Sequence, residues 1–189
     1  MSAAKAQVRS LFFALQPDAA LTQMLVRVAG RAKSSSLFSG VPRPAQTLHL
    51  TLLYLGSHPD VPVEFVRGGF AAAASVRFPP FEIVLDRIES LGLGKNVPCV
   101  LRCTARSAAT LRELHDVLVD AWRAAGMRRD GSFEPETREF IPHVTLGYGR
   151  AMSESAPIDP IAWHVREFTL IESWVGQSTH RRVGVWPLA

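Results

Sequence analysis

Leu48-His-Leu-Thr-Leu52 returns as Pro142-His-Val-Thr-Leu146, and the reading of these two stretches decides the fold. Both sit in apolar runs of strand character, Thr47–Leu55 and the segment around His143–Tyr148. Each is entered through a proline-bearing loop and followed by glycine. Successive side chains of a strand alternate faces. His49 and Thr51 therefore share one face, while Leu48, Leu50 and Leu52 take the other. The second copy divides the same way, with His143 and Thr145 set against Val144 and Leu146. One such stretch is an ordinary solvated strand face. Two in matching contexts imply a pair of equivalent strands, each anchored by its apolar side and offering an imidazole and a hydroxyl on the other.

Working outward, Leu11–Leu15 reads as a short strand stopped by Pro17. Asp18 can cap a helix carrying Leu21, Met24, Leu25 and Val28 and ending near Gly30. Residues 60–74 carry a helical pattern weakened by Gly68-Gly69. Phe81–Leu91 and Val97–Ala105 flank a Gly-rich turn as a hairpin. Ser107 is expected to cap a helix with the stripe Leu111, Leu114, Leu118, Ala121 and Ala125, stopped by Gly126. Val165–Val175 and Arg181–Trp186 form a last hairpin. Hairpins mixed with helices, without a βαβ rhythm, indicate an α+β fold. With 189 residues, the chain is expected to be a single domain, 1–189, of two intimately packed lobes.

Hydrophobic residues make up 47% and charged residues 20% of the chain, which is globular rather than disordered composition. A net charge of +4 leans towards an anionic partner. Cys99 and Cys103 lie about 13 Å apart on an extended strand at ~3.3 Å per residue, too far for a disulfide. Free thiols suit a reducing cytosol. Leu11–Leu15 is too short for a signal segment, and no apolar run approaches a membrane span. A cytoplasmic, monomeric protein without a membrane partner is expected.

Hydrolysis of a cyclic phosphate needs one group to take a proton from water and another to protonate the departing sugar oxygen. Histidine, with a reference pKa near 6.5, can serve in both states. A threonine hydroxyl beside each imidazole can donate to a non-bridging phosphate oxygen. No carboxylate cluster adjoins either motif and threonine is a poor metal ligand, so neither metal nor cofactor is expected.

These residues resemble the 2H phosphoesterase superfamily, and more closely the bacterial RNA 2′,3′-cyclic phosphodiesterase (2′-5′ RNA ligase) family. The resemblance rests on the two motifs, on Leu11-Phe-Phe-Ala-Leu15 as an opening strand and on Glu167-Phe-Thr-Leu170 with Glu172-Ser173 as a late one. It implies a bilobal, pseudo-twofold α+β fold, with antiparallel sheets lining a central groove and helices outside. It implies opening of an RNA-terminal 2′,3′-cyclic phosphate to a 2′-phosphomonoester, with a reversible 2′-5′ ligation. By this resemblance His49 is general acid on O3′ and His143 general base on water. The expected partners are RNA termini or nucleotides bearing the cyclic phosphate. A small nucleotide substrate and a non-catalytic nucleotide-binding module are the alternatives.

The family often has an arginine three residues after the second threonine. Tyr148 stands there in this chain, which makes Arg150 and Arg138 the candidates for phosphate binding beside Thr51 and Thr145. Phe13 is the candidate for stacking a base. Tyr54, an odd number of residues from His49, is expected to point away into the core. His115 reads as a boundary residue, and His58, His164 and His180 belong to no pattern. Arg181 and Arg182 alternate faces on the last strand.

Overall fold

The computed structural model describes residues 7–37, 39–126 and 140–189. Arg9–Leu15 forms β1, Ala19–Ser34 α1, Val41–Pro42 β2 and Leu50–His58 β3. Val63–Ser75 is α2, Phe81–Ser90 β4, Val97–Cys103 β5 and Ala105–Ala124 α3. His143–Gly149 is β6, Ala156–Val165 β7, Glu167–Trp174 β8 and Thr179–Pro187 β9. A single 3₁₀ turn, Ala45–Thr47, precedes His49. Among the described residues the strands form one antiparallel sheet, in the order β7-β4-β5-β6-β3-β1-β8-β9, with β2 added beside β6. The fold is α+β.

The order is symmetric about its centre. Strand–helix–strand occurs twice, as β1-α1-β3 and as β5-α3-β6, and each unit ends in one histidine motif. The helices are exchanged: α3 packs on β3, and α1 packs on β6 and β2. The motif strands meet at one paired rung, Leu50 opposite Val144. Both of these side chains are fully buried, so the rung is pinned from below by apolar packing, which is the main favourable term in folding.

Local chemistry explains most element boundaries. Asp18 caps α1 by accepting the Leu21 amide at 2.8 Å. The helix passes Gly30 and ends at Ser34. Its buried stripe is Leu21, Leu25, Ala29 and Ala32. The cap of α3 is Thr104 rather than Ser107. Thr104 accepts the Ser107 amide, and the Ser107 hydroxyl instead accepts from the Val84 amide at 2.9 Å. Helix α2 forms despite its glycine pair because Gly69 lies directly on Leu170: a Cβ there would stand 2.9 Å from Leu170 Cδ2. Strands β2 and β7 are the strands that the sequence pattern did not announce. Pro157 and Pro160 lie within β7, and prolines are tolerated because among the described residues β7 is an edge strand that pairs with β4 alone.

Candidate active site

His49 and His143 are oriented in the same way. The Nδ1–H of His49 donates to the Thr47 carbonyl at 2.8 Å, and that of His143 donates to the Ile141 carbonyl at 2.7 Å. In each case the acceptor lies two residues earlier. A carbonyl can only accept, so Nδ1 carries the proton and Nε2 bears the lone pair in both neutral rings. Because Leu50 faces Val144 in an antiparallel pair, His49 lies across from Thr145, and Thr51 across from His143. The four motif side chains thus surround the central rung, and a proton on His143 is felt at His49.

Each motif strand bulges directly after its threonine. In β3, Ala14 pairs with Thr51 but Phe13 with Leu53, leaving Leu52 extra. In β6, Val100 pairs with Thr145 but Cys99 with Gly147, leaving Leu146 extra. An extra residue reverses the facing of everything after it. The register therefore carries Tyr54 onto the face of Thr51, and Tyr148 onto the face of His143 and Thr145. The two tyrosines are 42% and 45% exposed, and they are the only two in the chain. This corrects the expectation that Tyr54 points into the core. The Tyr54 hydroxyl meets Ser57 Oγ at 2.5 Å.

Three side chains that the sequence did not connect to the motifs crowd His49. Phe12 stacks on its ring, with centroids 5.0 Å apart. His180 of β9 meets the ring edge-on, also at 5.0 Å. Arg43 is near enough to disfavour protonation of both His49 and His180. Beside His143, Arg102 is its direct partner across β5 and β6, and Arg102 is ion-paired to Glu89. No sequence spacing links positions 12, 43 and 180 to 49. They converge only through β1, β2 and β9 pairing.

Electrostatically, both motif histidines favour the neutral form. Burial lowers His49 to about 4, aided by His180, Arg43 and His143 and opposed by its bond to the Thr47 carbonyl. His143 is also lowered, chiefly by burial and then by Arg102, with the Ile141 carbonyl and Glu89 acting against the shift. His180 is lowered to about 4 by burial and Arg43. Two imidazoles with free Nε2 lone pairs, flanked by threonine hydroxyls, can accept and return protons on either side of one bound group. No cluster of metal-ligating side chains occurs among the described residues.

Of the other candidates, Phe13 does not line this face. It is fully buried against Phe168 and Trp186, because alternation along β1 sends Phe12 to the histidines and Phe13 to the core. Arg150 is exposed just past β6, and its backbone amide donates to Ser39 Oγ at 2.8 Å. Arg138 lies outside the described residues. His115 is more than a boundary residue: its Nδ1–H donates to the Leu52 carbonyl at 2.6 Å, and its ring stacks on Phe140. Arg181 is ion-paired to buried Glu172, which also binds Arg9 at 2.8 Å.

The model of the 2′-5′ RNA ligase superfamily matches residues 12–177. An RNA 2′,3′-cyclic phosphodiesterase of Escherichia coli is 30% identical over 167 residues, 86% of each chain. One of Bacillus subtilis is 31% identical over 98 residues, 52% of this chain and 49% of that relative. The crystal structure of E. coli LigT complexed with 3′-AMP superposes with a TM-score of 0.67 at 25% identity, covering 97% of this chain and 99% of that one. The matched span contains both histidine motifs and the strands that bring them together, and on that basis the chain belongs to the 2′-5′ RNA ligase superfamily and is a 2H phosphoesterase.

Proposed function

We propose that the protein opens 2′,3′-cyclic phosphates at RNA ends to 2′-phosphomonoesters by metal-independent acid–base catalysis. The observation that carries this reading is the matched pair of imidazoles, each held through Nδ1–H by the carbonyl two residues before it and meeting at the Leu50–Val144 rung. The names of the E. coli and B. subtilis relatives support the substrate class. Water attacks phosphorus, giving its proton to one Nε2. The P–O3′ bond breaks, and the other histidine protonates O3′. The family resemblance gives His143 the first role and His49 the second. With a sugar 5′-hydroxyl attacking phosphorus in place of water and O3′ again leaving, the same exchange forms a 2′-5′ linkage, and its reverse breaks one.

Both rings are neutral when the site is empty, so the acid acquires its proton with the substrate. The phosphate's negative charge stabilises an adjacent imidazolium. Thr51 and Thr145 donate to the non-bridging oxygens as charge builds there. With Phe13 in the core, Tyr54 and Tyr148, one beyond each motif and each partly exposed, are the residues of this face that receive the flanking bases.

The test is a short RNA ending in a 2′,3′-cyclic phosphate, incubated in excess EDTA with wild type, His49→Ala and His143→Ala. Wild type releases a 2′-phosphate end, and each variant loses at least ~10²-fold in rate. Turnover that survives either substitution removes the two-histidine mechanism.

A further inference from the structure

We infer that Arg43 is the residue that anchors the substrate phosphate, with His180 lining the same anion site. The inference rests on the reading of the groove as a phosphoester site and identifies the cation that Tyr148 cannot supply. Position 43 lies on the connection between β2 and the 3₁₀ turn, and its backbone is fastened to the second motif. The Arg43 amide donates to the carbonyl of Leu146, the bulge residue of β6, at 2.7 Å. Its side chain reaches back to the first motif, where its charge is felt at His49 and at His180. Arg43 therefore joins the two halves of the site: main chain on one motif, guanidinium beside the other.

What distinguishes it is the absence of a counter-charge. Arg102, next to His143, is paired with Glu89. Arg9 and Arg181 share Glu172. Among the described residues no carboxylate or carbonyl takes the Arg43 guanidinium, and its Nε is buried without a hydrogen-bond partner. His180 Nδ1 is likewise buried and unpartnered. A buried donor without an acceptor is costly, and an unpaired guanidinium beside neutral imidazoles concentrates positive potential on one spot. A phosphate oxygen satisfies both conditions, since guanidinium forms short, charge-assisted bonds to phosphate. Arg150 has no comparable place: it is exposed beyond the end of β6. Arg182 shares the face of His180 by strand alternation but is also exposed.

The experiment measures affinity for inorganic phosphate by calorimetry at pH 7, for wild type, Arg43→Ala, Arg43→Lys, Arg150→Ala, Arg182→Ala and His180→Phe. Arg43→Ala is expected to weaken binding at least tenfold, and Arg43→Lys to restore part of the loss because the charge remains. His180→Phe, which keeps the ring packing but removes the donors, weakens it several-fold. The Arg43 amide bond to Leu146 is main-chain and survives substitution, and equal thermal midpoints for the Ala and Lys variants confirm a folded site. Undiminished binding by Arg43→Ala, or a larger loss in Arg150→Ala or Arg182→Ala, overturns the assignment. Because binding is read without turnover, the two conclusions separate. Cyclic phosphate opening by wild type with normal phosphate binding by Arg43→Ala sinks only the anchor. An Arg43-dependent phosphate site in a protein that opens no cyclic phosphate sinks only the activity.

Discussion

Leu52 and Leu146 occupy the same place in the two halves of the protein: each is the extra residue of a β-bulge directly after the threonine of a histidine motif. Their carbonyls, pushed out of the ladder, are each taken by a donor from a distant segment. The His115 ring donates to Leu52 at 2.6 Å, and the Arg43 amide to Leu146 at 2.7 Å. The bulges turn the next tyrosine of each strand towards the histidines, so the geometry of the groove depends on these two bonds.

Removing one of them tests that dependence. His115→Ala leaves the Leu52 carbonyl without its donor and Phe140 without its stacking partner. The expected cost is about 1–3 kcal/mol of stability, read by urea unfolding, with a fall in turnover although residue 115 belongs to neither motif. A variant as stable and active as wild type would show that the bulge holds itself.

Tyr54→Ala and Tyr148→Ala probe the flanking faces. Stacking of a base is worth about 1–3 kcal/mol, so each substitution should raise KM for an RNA substrate by roughly tenfold and leave a minimal nucleoside cyclic phosphate less affected. Equal effects on both substrates would remove the stacking role.

The lowered histidines set the pH profile. The base must be neutral, and its depressed value extends activity into acid solution. The acid must be protonated, and its depressed value brings the alkaline limb of kcat/KM below the ordinary histidine range near 6.5. Bound phosphate favours the imidazolium, so the alkaline limb of kcat should lie at higher pH than that of kcat/KM. Rate measurements from pH 4 to 9 decide it; superimposable limbs in the two profiles would contradict the argument.

Stability follows from the same shifts. His49 and His180 fall to about 4 in the folded chain, against 6.5 as reference. Between these values the unfolded chain binds more protons, so the stabilising contribution is complete above 6.5 and is lost as pH falls towards 4. Urea midpoints should drop between pH 7 and pH 5, and drop less in His180→Phe.

Two glycines should respond in opposite directions. A Cβ at Gly149 would stand 2.8 Å from the Gly40 backbone nitrogen and from Ser39 Oγ. Gly149→Ala should therefore cost about 1–3 kcal/mol and weaken phosphate binding by displacing the segment that leads to Arg43. Gly30 lies inside α1 with nothing within 4 Å of its Cβ position. Gly30→Ala should stabilise by up to about 1 kcal/mol. Thermal melts of both variants are the check.

The sequence by itself determined the α+β class, the helices, the motif strands and the His–Thr pairs, because alternation and helical spacing are local patterns written in consecutive residues. It placed His49 with Thr51 and His143 with Thr145 correctly on shared faces. It misplaced Tyr54 and Phe13 for related reasons. Strict alternation cannot anticipate a bulge, which arises from pairing with β1, and alternation separates Phe12 from Phe13 without saying which face is the core. Phe12, Arg43 and His180 were beyond its reach altogether. Their approach to His49 depends on β1, β2 and β9 joining the sheet, and contacts between segments so far apart in the chain are decided only when the tertiary structure closes.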